Sequence, residues 1–140
     1  RLHRAKVAGI LQPIESKILS ENIPPSMRDE DDYWFGLTVR ARVLVYSKER
    51  VTPDQLSTYE DLANRKWRGK IAVRSSSNIY NQSLMASIIA SNGSRKALSW
   101  AKSIRKNMAR APRGSDRDQA RAVAAGLADV AIMNTYYLGI

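Results

Sequence analysis

Two short apolar runs, "KIAV" at residues 70–73 and "ADVAIM" at 128–133, constrain this chain more than any other feature. Each reads as a short strand, and helix-length segments stand between them. "KIAV" runs directly into "RSSSNIYNQSLMASIIASNG", a helix whose start is marked by Ser75, Ser76, Ser77 and Asn78 and whose end is marked by Gly93. A further helix begins at Ser94, with Ala97, Leu98, Ala101, Ile104 and Met108 on one side and Lys96, Lys102, Arg105 and Lys106 along much of the other. "RGSDRDQARAVAAG" reads as another, capped near Ser115 or Asp116 and stopped by Gly126. Short apolar strands that alternate with helices predict an α/β chain with a parallel or mixed sheet.

The first third is less regular. "RLHRAKVAGILQP" predicts a short basic helix capped at Gly9, and "IESKILSEN" a turn or two of helix closed by Pro24 and Pro25. "MRDEDDY" is an acidic loop. In "WFGLTVRARVLVYS", Leu37, Val39, Ala41, Val43 and Val45 alternate with Thr38, Arg40, Arg42 and Leu44, which predicts one long strand, a candidate connection between two bodies. "TPDQLSTYEDLANRKWRGK" is turn-rich, with short helices opening at Pro53 and over Tyr59–Leu62.

Composition narrows the field. The chain has 140 residues, 44% of them hydrophobic, enough for one core. Its formal charge of +10 admits anionic partners or an anionic surface. It contains no cysteine, which excludes disulfides and thiolate metal sites without fixing a compartment. No apolar run approaches a membrane span and no signal-peptide pattern opens the sequence. An opening on "RLHRAK" without Met suggests a piece of a longer protein.

In open α/β sheets, ligands sit just beyond the carboxyl ends of strands. After "KIAV" come Arg74, the three serines, Asn78 and Tyr80; after "ADVAIM" come Asn134, Thr135, Tyr136 and Tyr137. If the two strands are parallel in one sheet, these residues share an edge and three phenols converge. Neighbouring side chains in a strand face opposite ways, and in a helix they stand about 100° apart, so the Tyr136–Tyr137 doublet has no ready packing role. A phenolate is a hard anionic donor suited to hard, highly charged cations. A trivalent cation lowers the phenol pKa from its usual value near ~10. Fe(III) is the biological cation of that kind, and tyrosinate holds ferric iron in some haem proteins. Ser75–Asn78 reads in two ways: as a plain helix N-cap, or as backbone N–H groups that hold an anion such as carbonate or phosphate beside the metal.

At these residues the sequence resembles the ferric-ion-binding periplasmic proteins of iron ABC importers, most closely the cyanobacterial type. The matching stretches are "RLHRAKVAGILQPI", "YWFGLTVRARVLVYSKERV", "TYEDLANRKWRGKIAVRSSSNIYNQSLMASIIASNG" and "DRDQARAVAAGLADVAIMNTYYLG". The most specific are "SSSNIYNQSL" and "MNTYYLG". The resemblance implies a type II periplasmic-binding-protein fold that closes about a hinge. Residues 1–36 would be the end of the first lobe, 37–46 the crossover strand, and 47–140 most of the second, iron-bearing lobe. It implies that Tyr80, Tyr136 and Tyr137 are Fe(III) ligands, supported by Ser75, Ser76, Ser77, Asn78 and Asn134. It also implies a periplasmic location, an interlobe cleft, delivery of iron to a membrane permease, and no enzymatic role. The family is longer, begins with an export signal and draws further ligands, a His-Tyr pair or a single Tyr, from its N-terminal region. His3, the only histidine, does not match that position and reads as a surface residue.

The alternative is a basic nucleic-acid-binding module. "RKWRGK" (65–70) and "RAR" (40–42) set cations beside Trp67 and near Tyr46, as stacking platforms require. Against it, the basic residues are spread over nearly every segment and no nucleic-acid motif appears. An enzyme reading lacks a nucleophile–base pattern and a Gly-rich phosphate loop; Asp31-Asp32 and Glu60-Asp61 read as turn residues, and nothing marks Asp129 as catalytic.

Overall fold

The computed structural model describes residues 2–137. The chain separates into two compact units, one ending at Val39 and one beginning at Arg40.

In the second unit, strands β1 (Arg42–Tyr46), β2 (Ile71–Ala72) and β3 (Val130–Asn134) form a mixed sheet in the order β1-β3-β2. β3 is central, antiparallel to β1 and parallel to β2, with Ile71 opposite Val130 and Ala72 opposite Ala131. The expected parallel pairing of the two apolar runs is present.

Every residue of β3 is buried, and its alternation sorts them between two faces. Val130 and Ile132 join Ile71, Val73, Leu62 and Trp67 in a large cluster with Leu84, Ile88, Ala97 and Ile104. The last four come from helices α3 (Ile79–Asn92) and α4 (Ser94–Asn107). Ala131 faces the other way and meets Ala72, Ala122, Val123 and Ala128. These small side chains let helix α5 (Asp116–Ala124) lie close against the sheet. Burying one Val, Leu or Ile side chain is worth about 1.5–3 kcal/mol, so β3 and its neighbours hold this unit together.

The local signals act as expected at most ends. Asn78 caps α3 by accepting from the Tyr80 N–H, and Gly93 ends it at φ 80°. Ser115 and Asp118 form a reciprocal capping box on α5. Gly114, at φ 72°, is required there: a Cβ would stand 2.7 Å from an Asp118 carboxylate oxygen.

Three expectations need correction. The long strand over 37–46 is shorter, because β1 starts at Arg42. Its partner β3 ends at Asn134, opposite Arg42, so no further rung exists for residues 37–40, and Leu37 and Val39 are exposed. Leu98 is exposed rather than on the packed face of α4. It stands about 100° round the helix from Ala97, whose stripe continues through Ala101 and Ile104. Trp67 is no stacking platform: at 3% exposure it belongs to the core, with Lys66 over its ring.

The first unit has helices α1 (Leu2–Val7) and α2 (Lys17–Asn22), a 3-10 turn at Pro25–Met27, and a single antiparallel bridge between Arg28 and Phe35. Lys6 Nζ donates to Asp29 at 2.6 Å and to Asp31 at 2.7 Å. Of its hydrophobic residues only Ile23 is buried, and His3 is exposed as expected.

Candidate metal centre

Because β2 and β3 run parallel, their carboxyl ends open on one edge of the sheet. The segment after β2 turns through Ser75–Asn78 and places Tyr80 second in α3. After β3, residues Thr135–Tyr137 form a 3-10 turn that presents both tyrosines, with the Thr135 N–H donating to the Ala41 carbonyl at 3.0 Å. The tightness of this turn is what lets adjacent tyrosines act together: their ring centroids are 4.4 Å apart and the planes are tilted by 45°. Gly139, which closes the motif in the sequence, lies outside the described residues.

The three phenols come together. Tyr137 and Tyr80 both stand near enough to Tyr136 to help lower its phenol pKa, and Tyr136 is 41% exposed. The Asn134 side-chain amide donates to the Tyr136 hydroxyl at 3.1 Å. That donation is the first cause that holds Tyr136 below the ordinary phenol range; the neighbouring phenols and the Arg40 charge add to it, and burial opposes it. Tyr137 moves the other way, raised by its hydrogen bond with Tyr136 and by burial. Of the two adjacent phenols, Tyr136 is therefore the more readily ionised.

Cations surround the cluster. Arg40 stands 5.3 Å from the Tyr136 ring centre and Arg117 stands 5.6 Å from that of Tyr137. Arg42 and Arg74 are each 5.9 Å from the Tyr80 ring. Among the described residues no group of three or more His, Cys, Asp and Glu side chains could hold a metal ion, so the phenols are the candidate donors.

Ser75–Asn78 behave differently from Asn134. Ser75 Oγ pairs with Ser77 Oγ at 2.8 Å and accepts from the Ser77 N–H, while Asn78 serves α3 as its cap. Ser76 is exposed. Hydrogen bonds made by these four stay within residues 74–82.

Beneath the tyrosines lies a polar group that the sequence reading missed. The Asp116 side chain is fully buried and accepts from Arg42 at 2.6 Å, from the Asn134 N–H at 2.9 Å and from Arg74 at 3.4 Å. Arg42 had looked like a cation beside a stacking platform; its side chain is 8% exposed and faces inward. A partial signal was present at Asp116: once Ser115 and Asp118 cap α5, the intervening carboxylate has no local task.

A mixed sheet with helices on both faces and tyrosines at one edge is consistent with part of a lobe of a solute-binding protein. The chain belongs to the bacterial extracellular solute-binding protein family, whose profile it matches over residues 2–139. It is 51% identical over 139 residues to iron uptake protein A1 of Synechocystis sp., covering 99% of this chain and 39% of that protein. A solved structure of Trichodesmium IdiA (FutA) in complex with iron and citrate ligands superposes with a TM-score of 0.90 at 55% identity, over 96% of this chain and 43% of that one. The ferric binding protein of Campylobacter jejuni superposes with a TM-score of 0.91 at 47% identity, over 99% and 44%. This chain therefore spans about two fifths of the length of the curated relatives it matches. The fold is that of type II periplasmic iron-binding proteins, in part, and these relatives are named for binding and uptake rather than for an enzymatic reaction. Nothing in them supports the nucleic-acid alternative.

Proposed function

We propose that this chain is the tyrosine-bearing portion of the substrate-binding component of a ferric iron importer. In this reading Tyr80, Tyr136 and Tyr137 bind Fe(III) as tyrosinates in an interlobe cleft of the full-length protein, which delivers the ion to a membrane permease from the periplasm. The observation that carries it is the convergence of three phenols on the shared edge of β2 and β3, with Asn134 donating to Tyr136. Hard anionic oxygen donors match a hard trivalent cation, and three of them would balance its charge. Relatives named for iron uptake and for ferric binding support the choice of metal.

Ser75, Ser76, Ser77 and Asn78 are assigned to an anion beside the iron, such as carbonate or phosphate; the Trichodesmium relative is described with citrate, an oxygen-donor anion, as well as iron. Dependence of ferric affinity on added bicarbonate or phosphate tests that part.

The phenols are tested by Tyr137→Phe, Tyr136→Phe and Tyr80→Phe in the full-length protein, titrated with ferric citrate while the phenolate-to-iron charge-transfer absorption is followed. Each change keeps the ring and deletes the donor oxygen. Changes in residues that only orient ligands cost about 10–100-fold in affinity, so loss of a ligand should cost at least as much and weaken or shift the band. Unchanged affinity and colour in all three variants would remove the reading.

A further inference from the structure

Arg42 is costly to keep where it is. Its side chain is 8% exposed, and its Nε is buried without a partner. A buried ion pair is a weak contributor to stability, often no better than apolar residues of the same volume. Packing alone therefore gives little reason for this arginine or for the fully buried Asp116 that holds it.

What the pair does provide is connection. The two terminal nitrogens of Arg42 make four hydrogen bonds, to Asp116 at 2.6 Å, Asn134 Oδ1 at 3.0 Å, Asn81 Oδ1 at 2.8 Å and the Ile132 carbonyl at 3.1 Å. Asn81 follows Tyr80 directly, and its amide donates back to the Arg74 and Ser75 carbonyls at 2.8 and 3.2 Å. Asn134 closes β3, and its amide donates to the Tyr136 hydroxyl. With its Oδ1 committed to Arg42, the Asn134 amide has one orientation, with its N–H groups toward the phenol. Asp116 completes the frame by accepting from the Asn134 backbone as well as from Arg42 and Arg74. Tyr80 and the tyrosine doublet arrive on segments far apart in the chain, and Arg42 hydrogen-bonds to both, to Asn81 beside Tyr80 and to Ile132 and Asn134 ahead of the doublet.

We propose that Arg42 is a positioning residue for the iron site: held by Asp116, its guanidinium fork sets the Tyr80 segment against the Tyr136–Tyr137 segment and fixes the Asn134 amide on the Tyr136 hydroxyl. This rests on the reading that those phenols bind Fe(III). A planar fork with several donors in fixed directions is needed for the task, and a lysine ammonium carries the charge without that geometry. The spacing of the donors is then present before iron arrives, so the ion does not have to organise it.

The test compares Arg42→Lys and Asn81→Ala with the unchanged full-length protein. Ferric titration reads affinity and the position of the charge-transfer band; in the metal-free protein, nuclear magnetic resonance reads solvent exchange of the Asn134 side-chain amide. Arg42→Lys should lower ferric affinity by about 10–100-fold, as for other residues that orient metal ligands, move the band, and speed exchange of that amide. Asn81→Ala leaves the Arg42–Asp116 pair in place and should move affinity and band in the same direction by less. Should Arg42→Lys fail to fold, Asn81→Ala decides on those readouts by itself. Unchanged affinity and band in the folded variants, with or without a lower melting temperature, would overturn the proposal and leave Arg42 a structural ion pair. If the three Tyr→Phe changes left ferric binding intact, the iron reading would fall, and the Asn134 amide of the metal-free protein would still report whether Arg42 holds it.

Discussion

The unit beginning at Arg40 and the unit ending at Val39 use apolar residues in opposite ways. In the former, Val130, Ala131, Ile132 and Met133 are each at most 2% exposed, whereas in the latter Val7, Ile10, Ile18, Leu37 and Val39 are between 73% and 77% exposed. Within this chain, which spans about two fifths of its relatives' length, the elements available differ. A central strand flanked by partners, with helices on both faces, can bury side chains on two sides. Two helices of six residues each have little surface to bury and are too short to be stable by themselves. Order in the first unit rests on polar devices: Ser16 capping α2, and Lys6 joined to Asp29 and Asp31. The proposed site, which needs three phenols at fixed spacing, has its foundation in the unit with a core of its own.

The comparison is broken or upheld most directly by truncating one isoleucine in each unit. Ile132→Ala removes a side chain that is 2% exposed in the central strand, and such changes cost about 2–5 kcal/mol. Ile18→Ala acts on a residue 73% exposed in α2 and should stay within about 0.5 kcal/mol of no effect. Denaturant unfolding of the two variants reads both values. Equal losses would mean that the exposed face of α2 is covered in solution.

Legibility from sequence followed the same division. β2, β3, α3, α4 and α5 were readable because each combines an apolar pattern with a terminal signal: Asn78 and Gly93 bound α3, and Ser115 caps α5. Parallel pairing then followed from the strand–helix alternation, and with it the meeting of Tyr80 with the doublet. The length of β1 was not readable, because alternation from Leu37 continues past the point where β3 ends at Asn134; the partner, not the strand's own sequence, sets the limit. Arg42 and Asp116 were hidden for a related reason. A charged residue signals solvent by its type, and only the arrival of a partner 74 residues away makes burial affordable. The doublet was legible as a candidate site because no regular element explains it; what lies beneath it was not.

A smaller effect comes from acid. Asp129, 8% exposed, is joined to Arg50 at 2.8 Å and Lys70 at 3.0 Å. Burial alone would push its carboxyl up, but the hydrogen bonds from Lys70 and Arg50 outweigh it and hold the group below its ordinary 3.8. For a carboxyl depressed in the folded state, the contribution to stability is fully present above the unfolded value and is lost as pH falls through the folded one. The second unit should therefore lose stability below about pH 4, the range of an ordinary aspartate. Asp129→Asn should lower stability at neutral pH and flatten that acid limb in urea titrations. An acid limb of unchanged steepness would show that other carboxylates dominate it.

The smallest expected effect separates the two kinds of ion pair. Lys6 in the first unit keeps 23% of its side chain exposed and Asp31 keeps 70%, whereas Arg42 and Asp116 in the second are 8% and 0% exposed. Salt screens accessible charges, with a screening length of about 3 Å near 1 M, and reaches buried ones far less. The Asp29 carboxylate that Lys6 holds also accepts from the Asp31 and Tyr33 N–H groups at 3.3 Å, so these amides report on the pair. Lys6→Met keeps most of the stem and removes the charge. It should speed hydrogen exchange at Asp31 and Tyr33 modestly, and high salt should do the same to the unchanged protein. The Asn134 amide, which donates to Asp116, should keep its protection in high salt, because its carboxylate is out of reach of the solvent ions. Equal salt sensitivity at Tyr33 and Asn134 would mean that Asp116 is open to solvent, and the distinction between a unit held by its core and one held at its surface would fail at that point.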